Sequence, residues 1–248
     1  MNTICLIGYG KMGRMLHQLA PDKGFEVVGI IDPAWDGAVR EISPESLNNA
    51  DVAIEFSHPS VVLNNLERLI KLRQTCVIGT TGWHQELPRI MEKAKASGIG
   101  MVYGANFSLG MNLFSRLIAD AVKLMDKFDD YDLLAWEQHH AQKADSPSGT
   151  AVELAKLILD NSSRKSKVVW DRLERRPEAD ELHFASMRGG KIPGTHVLAF
   201  DSEADTIELS HVVRSRATFA LGALQAAKWI AGKKGVFNFK DLIADILC

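Results

Sequence analysis

The chain has 248 residues, of which 46% are hydrophobic and 24% are charged, a composition typical of a folded globular protein rather than a disordered one. Lys plus Arg (29) nearly balances Asp plus Glu (31), so the formal net charge of −2 provides no overall positive field for nucleic acid or an anionic membrane. The widely spaced Cys5, Cys76 and Cys248 predict neither a disulfide framework nor a zinc cluster. Without a signal peptide or an apolar run of about 20 residues, we expect a cytoplasmic protein.

Short apolar runs alternate with helical patterns in the first 106 residues. The predicted strands lie at 4–7, 27–31, 52–56, 76–78 and 101–103. The predicted helices lie at 12–20, 61–72 and 84–96. This alternation predicts a doubly wound parallel sheet, because parallel neighbouring strands need crossover connections.

After a predicted helix at 109–128, strands follow one another without regular crossovers, which indicates an open mixed or antiparallel sheet. These strands lie at 133–139, 182–187, 196–200 and 206–211. Helices return at 217–231 and 240–247. We therefore predict an α/β protein in which a Rossmann-type dinucleotide-binding domain, 1–106 and 215–248, is interrupted by an inserted α+β domain of residues 107–214.

A glycine motif follows the first strand and opens a helix, in the order Gly8-Tyr9-Gly10-Lys11-Met12-Gly13. In this G-x-G-x-x-G context the glycines permit a tight turn, close approach of the backbone to a pyrophosphate, and close packing of helix on strand. Asp32 ends the next strand about 20 residues later, where a carboxylate binds the adenosine ribose. The alternative is a tight strand-to-helix turn without a ligand.

No arginine directly follows Asp32, so the local charges favour NADH over NADPH, although Lys11 or Arg14 can still pair with a 2′-phosphate. Two more loops follow strands, where ligands of a doubly wound sheet collect. They are Gly79-Thr80-Thr81-Gly82 and Gly104-Ala105-Asn106-Phe107-Ser108. We expect their hydroxyl, amide and backbone groups to hold the nicotinamide and its ribose, while an ordinary turn is the alternative for each.

The segment from Glu137 to Ala151 ends a strand and opens a helix that continues over 152–159. Ser148 or Thr150 can cap this helix, and the free N–H groups near Gly149 and Thr150 suit a carboxylate.

His139 or His140 can supply a proton near neutral pH, and Lys143 can supply a fixed positive charge or a second proton. A zinc site is disfavoured because the order is not H-E-x-x-H and no cysteine lies nearby. Surface histidines beside a capped helix are the alternative.

Together these motifs resemble the 4-hydroxy-tetrahydrodipicolinate (dihydrodipicolinate) reductase family over almost the whole chain. The block E-x-H-H-x-x-K-x-D-x-P-S-G-T-A at 137–151 is long and specific, and the resemblance extends through 188–192, Gly194, His196, His211 and 216–223. It implies an NAD(P)H-dependent oxidoreductase of diaminopimelate and lysine biosynthesis. Such an enzyme delivers hydride to C4 of an unsaturated cyclic imine and protonates the resulting enamine.

The resemblance also implies roles for individual residues. His139 is the acid, Lys143 is a second proton donor and carboxylate partner, and His140, Gly149 and Thr150 hold the small dicarboxylate substrate. The implied NADH or NADPH contacts are Gly8, Tyr9, Gly10, Lys11, Met12, Gly13, Asp32, Gly79, Thr80, Thr81, Gly104, Ala105, Asn106 and Phe107, with Arg216 and Phe219 as additions. The family further implies no metal and a homotetramer built through the sheet of the inserted domain.

Two other functions fit part of the pattern. Another Rossmann-type amino-acid or semialdehyde dehydrogenase explains the glycine motif but not the block at 137–151. A non-catalytic sensor of nicotinamide nucleotides explains the cofactor loops, but it has no need for both His139 and Lys143.

Overall fold

The structure is a computed structural model that describes residues 2–170 and 172–247. The chain divides into two compact units. The first consists of Met1–Leu109 with Ala217–Cys248, and the second is Gly110–Arg216.

The first unit is built on a six-stranded sheet in the order β11-β5-β4-β3-β1-β2, and all its pairings are parallel. The strands are β1 (Asn2–Ile7), β2 (Phe25–Ile31), β3 (Val52–Glu55), β4 (Cys76–Ile78), β5 (Gly100–Tyr103) and β11 (Gly235–Asn238). β1 lies between β2 and β3 in the sheet, so the chain adds strands first on one side of β1 and then on the other. The doubly wound parallel sheet predicted from the sequence is confirmed.

Helices of the first unit pack on both faces of this sheet. They are α1 (Lys11–Leu19), α2 (Pro44–Leu47), α3 (Val62–Lys71), α4 (Leu87–Ser97), α7 (Ala217–Ile230) and α8 (Phe239–Leu247). Alternate β1 residues enter two apolar clusters, with Leu6 beside residues of α1 and α7 and Cys5 beside residues of α3 and α4. Burial on both faces explains why the strands appear in the sequence as short continuous apolar runs.

The last strand was missed by the sequence analysis, which completed the first unit with helices alone. β11 pairs in parallel with β5, from Gly235 opposite Gly100 to Asn238 opposite Tyr103. Its four residues are too few to show periodicity, so the local sequence does not indicate a strand.

The second unit contains a five-stranded mixed sheet in the order β10-β9-β6-β8-β7. β8 is parallel to β6 and β7, whereas β9 is antiparallel to β6 and β10, so the mixed sheet is confirmed. The three-residue β7 was not predicted. The elements are α5 (Leu109–Met125), β6 (Asp132–His139), α6 (Gly149–Asn161), β7 (Lys167–Val169), β8 (Glu181–Arg188), β9 (Thr195–Asp201) and β10 (Thr206–Val212).

One face of the second sheet forms an apolar core with α5 and α6. Leu133 and Phe184 are buried there beside Phe114 of α5 and Leu154 of α6. The period of two along a strand turns alternate side chains to the other face, and Leu134 of β6 is exposed. Among the described residues, no helix is both long enough and apolar enough to cross a membrane.

Candidate active site

The glycine motif forms the turn between β1 and α1. Gly8 has φ of +90°, and a Cβ at this position would overlap the backbone carbonyl of Phe56. A Cβ on Gly13 would overlap the carbonyl of Gly8, which shows that α1 packs against the turn itself. Gly10, by contrast, faces open space at the start of α1. The backbone is therefore free to approach a ligand at the N-terminus of this helix.

Asp32 holds the glycine turn from the end of β2. Its Oδ2 accepts a hydrogen bond from the Tyr9 backbone N–H (2.6 Å), and its Oδ1 accepts one from Ala34 N–H (2.8 Å). Asp32, Gly8 and Gly10 line a cavity of about 540 Å³, which Arg40 also reaches. The carboxylate thus serves the fold and at the same time faces a space large enough for a nucleoside.

A second cavity, of about 370 Å³, lies at the start of α1 and at the end of β4. It brings together six residues predicted from two separate motifs: Gly10, Lys11, Met12, Gly79, Thr80 and Thr81. Phe56 and Ser57 line both cavities, although the sequence analysis did not identify them. The shared lining and the lack of a Cβ on Gly10 fit an extended ligand with a phosphate group near the helix N-terminus.

The loops after β3 and β4 are joined by a buried polar network. Ser57 N–H donates to Thr80 Oγ1 (2.8 Å), and the Ser57 hydroxyl donates to Glu55 Oε1. Asn65 Nδ2 also donates to Glu55 Oε1, at 3.2 Å. Burial raises the pKa of Glu55 above its ordinary value, and these hydrogen bonds only partly offset that effect.

The loop at 104–107 does not line either cavity. Phe107 is buried in the apolar core, 4.8 Å from the ring of Phe239 between centroids, and Gly104 leaves room for Phe239 Cβ. Asn106 Oδ1 accepts a hydrogen bond from the Ser108 N–H (2.8 Å). The structure therefore gives Gly104 and Phe107 a packing role, and the cofactor contacts of 104–107 stay a prediction.

In the second unit, Glu137 and His139 lie on the inward face of β6. Glu137 is fully buried, and its Oε1 accepts hydrogen bonds from Arg188 Nη2 (2.8 Å) and from the Ser148 backbone N–H (3.0 Å). Its Oε2 forms an ion pair with His139 Nδ1. His196 of β9 packs edge-on against His139, with 5.3 Å between ring centroids. The cluster brings three strands and the start of α6 to one point.

Burial and charge act in opposite directions on this cluster. Burial alone would raise the pKa of Glu137, but hydrogen bonds from Arg188, Ser148 and Ser186 outweigh it and lower this pKa to about 2. Burial lowers the pKa of His139, and the negative charge of Glu137 partly offsets the decrease. Burial also lowers the pKa of His196, to about 4. Glu137 is therefore a carboxylate at neutral pH, and His196 is a neutral ring.

Lys143 and the start of α6 lie just beyond this cluster along the chain. Lys143 Nζ forms an ion pair with Asp145 (2.7 Å) and lowers the pKa of that carboxyl. Ser148 is the N-cap of α6, since its hydroxyl accepts the Ala151 N–H (3.1 Å), while Gly149 and Thr150 form the first turn. β6 ends at His139, so strand pairing does not extend to His140.

Gly194 lies next to Nε2 of the His139 ring. A Cβ on Gly194 would lie 3.0 Å from His139 Nε2. The glycine therefore leaves space next to this nitrogen, while Nδ1 faces Glu137. Gly194 and His196 were noted in the sequence only through the family resemblance, because 55 residues of chain separate Gly194 from His139 and no local pattern joins them.

Glu137, His139 and His196 also place three atoms of metal-binding type within 4.8 Å of one another. The Arg188 guanidinium, however, already binds the Glu137 carboxylate at 2.8 Å. Its positive charge disfavours a second cation at the same carboxylate. We therefore interpret the cluster as suited to proton transfer rather than to metal binding.

The family models and the curated relatives agree on one family. The family model for the N-terminus of dihydrodipicolinate reductase matches residues 2–107, and the model for its C-terminus matches residues 110–243. The 4-hydroxy-tetrahydrodipicolinate reductase of Christiangramia forsetii is 35% identical over 246 residues, covering 98% of both chains. That of Chromobacterium violaceum is 34% identical over 266 aligned positions, again covering 98% of both chains.

A solved structure shares the fold. The dipicolinate-bound dihydrodipicolinate reductase of a Paenisporosarcina species has a TM-score of 0.78 at 22% sequence identity. The similarity covers 98% of this chain and 99% of that chain, so both units of the fold are included.

Proposed function

Because the chain belongs to the dihydrodipicolinate reductase family, we propose that it reduces 4-hydroxy-tetrahydrodipicolinate to tetrahydrodipicolinate with NADH or NADPH. This places the enzyme, an oxidoreductase, in the diaminopimelate route to lysine. The observation that carries the proposal is that the segment at 137–151, on which the family resemblance rests, places the buried Glu137 and His139 in one cluster with Arg188. Lys143 follows in the same segment.

The first unit is proposed to bind the dinucleotide, and the second to bind the substrate and mediate oligomerisation. This keeps the expected domains, 1–106 with 215–248 and 107–214, and the division at Leu109 and Ala217 supports them. The proposed cofactor residues are those named from the sequence. Eight of them line the two cavities: Gly8, Gly10, Lys11, Met12, Asp32, Gly79, Thr80 and Thr81. When bound, the dinucleotide supplies a hydride.

His139 is proposed to supply the proton that the reduction requires. Hydride addition at C4 of a conjugated cyclic imine leaves an enamine, and the enamine carbon must then take a proton. The space that Gly194 leaves at His139 Nε2 admits a reacting atom to this nitrogen. Proton transfer from Nε2 converts the imidazolium into neutral imidazole, while Nδ1 remains bound to Glu137.

Lys143 and the N-terminus of α6 are proposed to bind the substrate carboxylates. Lys143 forms an ion pair with Asp145. The Asp145 carboxylate thus takes the position in which a substrate carboxylate would pair with Lys143. Gly149 and Thr150 lie in the first turn of α6, where backbone N–H groups and the helix dipole favour a negative charge. We propose that a substrate carboxylate displaces Asp145 from Lys143, with His140 as a further contact.

NADH is proposed as the preferred cofactor. The Asp32 carboxylate lines the adenosine-sized cavity, and a 2′-phosphate next to it would meet a negative charge. Of the two cations named as alternative partners, Arg14 stacks on the Trp35 ring, with 5.3 Å between its Cζ and the ring centroid, and Lys11 lines the second cavity.

A homotetramer built through the second sheet is proposed as the assembly, in a cytoplasmic enzyme. The outward face of this sheet carries exposed Leu134, Met187 and Val212 on three different strands. An apolar sheet face of this kind is stabilised when a second copy covers it.

The test uses 4-hydroxy-tetrahydrodipicolinate, which is generated in the assay by the synthase that produces it. We expect nicotinamide absorbance to fall when the protein is added to this substrate with NADH, and to fall more slowly with NADPH. Absence of turnover with both cofactors contradicts the proposed function. Binding of NADH without turnover indicates a sensor, and turnover of a different amino acid or semialdehyde indicates another dehydrogenase.

A further inference from the structure

We propose that Glu137 is a positioning residue for His139. Its carboxylate determines which ring nitrogen carries a proton, and it stabilises the cationic ring that donates a proton. The inference rests on the proposed function, since it concerns how the acid of that reaction is held. It assigns a role to a buried carboxylate that the sequence did not single out.

The geometry leaves Glu137 little freedom. Its side chain is fully buried, and Oε1 is held by Arg188 Nη2 (2.8 Å) and Ser148 N–H (3.0 Å). These two donors come from β8 and from the N-cap of α6, so two separate elements hold the same carboxylate oxygen. Oε2 is thereby directed at His139 Nδ1.

This arrangement determines which ring nitrogen carries hydrogen. With its pKa lowered to about 2, Glu137 is ionised at neutral pH and can only accept a hydrogen bond. His139 Nδ1 must therefore carry a proton in both charge states of the ring. The mobile proton is then the one on Nε2, next to Gly194. After it leaves, the neutral ring already has its hydrogen-bonded tautomer, and no rearrangement is needed.

The cationic form of His139 needs the Glu137 carboxylate, because burial and the other nearby charges disfavour a positive ring. Lys143 from the loop after β6 and Arg188 from β8 disfavour a cationic His139, as does burial. Asp145 neutralises part of the Lys143 charge, and His196 and His211, from β9 and β10, both have lowered pKa values. The negative charge of Glu137 opposes these effects directly at the ring.

The experiment compares Glu137→Gln, which keeps the shape but removes the charge, with Glu137→Asp, which keeps the charge. Glu181→Gln is the matched control: Glu181 is also buried in the second unit, and it also pairs with an arginine (Arg175, 2.7 Å) and a backbone N–H (Glu178, 2.9 Å). We expect kcat/KM of Glu137→Gln at pH 8 to fall about 10- to 100-fold, with the basic limb of its pH profile moved to lower pH. Glu137→Asp should keep the basic limb near that of the wild type, and Glu181→Gln should keep the whole profile.

Ring-nitrogen NMR of labelled histidine tests the same inference without turnover. In the wild type, neutral His139 should carry its proton on Nδ1, and in Glu137→Gln this preference should be lost. A wild-type ring protonated mainly on Nε2, or an unshifted basic limb in a folded Glu137→Gln protein, overturns the inference. If Glu137→Gln does not fold, the wild-type tautomer and the Glu137→Asp profile still decide. A wild type with no turnover refutes the proposed function alone, because the tautomer is read independently.

Discussion

Replacing Gly194 with alanine should block proton donation by His139 without breaking its ion pair. The new Cβ would lie 3.0 Å from Nε2, whereas the Glu137 carboxylate is bound at Nδ1. A proton acceptor must approach a donor nitrogen to about 2.6–3.2 Å. The methyl group and the substrate carbon therefore compete for the same space.

The size of the effect follows from what a positioned acid contributes. General acid catalysis is worth about 10²- to 10⁴-fold in rate, which corresponds to about 3 to 5 kcal/mol of transition-state stabilisation. We expect Gly194→Ala to lose kcat within this range in the steady-state assay of NADH oxidation. Its Kd for NADH, measured by quenching or enhancement of nicotinamide fluorescence, should stay within about twofold of the wild type, because Gly194 belongs to the second unit.

Gly189→Ala provides the steric control. Gly189 follows β8 in the same unit, but a Cβ there has no heavy atom within 4 Å, so this variant should retain turnover. The reasoning is refuted if Gly194→Ala retains more than about a tenth of the wild-type kcat while its thermal unfolding is unchanged. Such a result would mean that the proton reaches the substrate from another group.

Three further predictions concern the cluster and the cofactor. His139→Ala should lower kcat far more than NADH affinity, whereas Lys143→Ala should lower kcat and also raise the substrate KM; steady-state kinetics with both substrates varied distinguishes them. Asp32→Ala should weaken NADH binding and reduce the NADH-to-NADPH ratio of kcat/KM, and an unchanged ratio would contradict the ribose role. His196 is neutral in the folded protein, because burial lowers its pKa from 6.5 to about 4. Its contribution to the free energy of unfolding should therefore be fully present above pH 6.5 and should be lost as the pH falls toward about 4. The stability gap between wild type and His196→Gln, from urea unfolding, should therefore narrow by about 2 kcal/mol between pH 7.5 and pH 5.

The sequence predicts the strands and helices well where the pattern is long or repeated. The parallel sheet was evident from short apolar runs separated by helices, because strands covered on both faces carry apolar residues at every position. β7 and β11 were not predicted, because segments of three or four residues show no period. The predicted helix at 84–96 begins as α-helix only at Leu87, after a short tighter turn.

The candidate site was predictable only in its local parts. Residues of one motif, such as the glycine turn, are adjacent in the chain and carry their own geometric signal. The partners of His139 come from β8 and β9, some 50 residues away, so their approach depends on strand order and register. Glu137 was visible in the sequence, but nothing there shows that it is buried and bound on both oxygens. Tertiary structure alone supplies that information.

The pairing of β11 with β5 has a consequence for biosynthesis of the chain. The second unit is continuous from Gly110 to Arg216, so every strand of its sheet is translated before α7 and β11. The first sheet, by contrast, lacks its edge strand β11 and the packing of α7 until the whole second unit has been translated. Domains usually fold as units while synthesis proceeds. Because of the insertion, the unit that contains β1 is therefore completed only after the second unit.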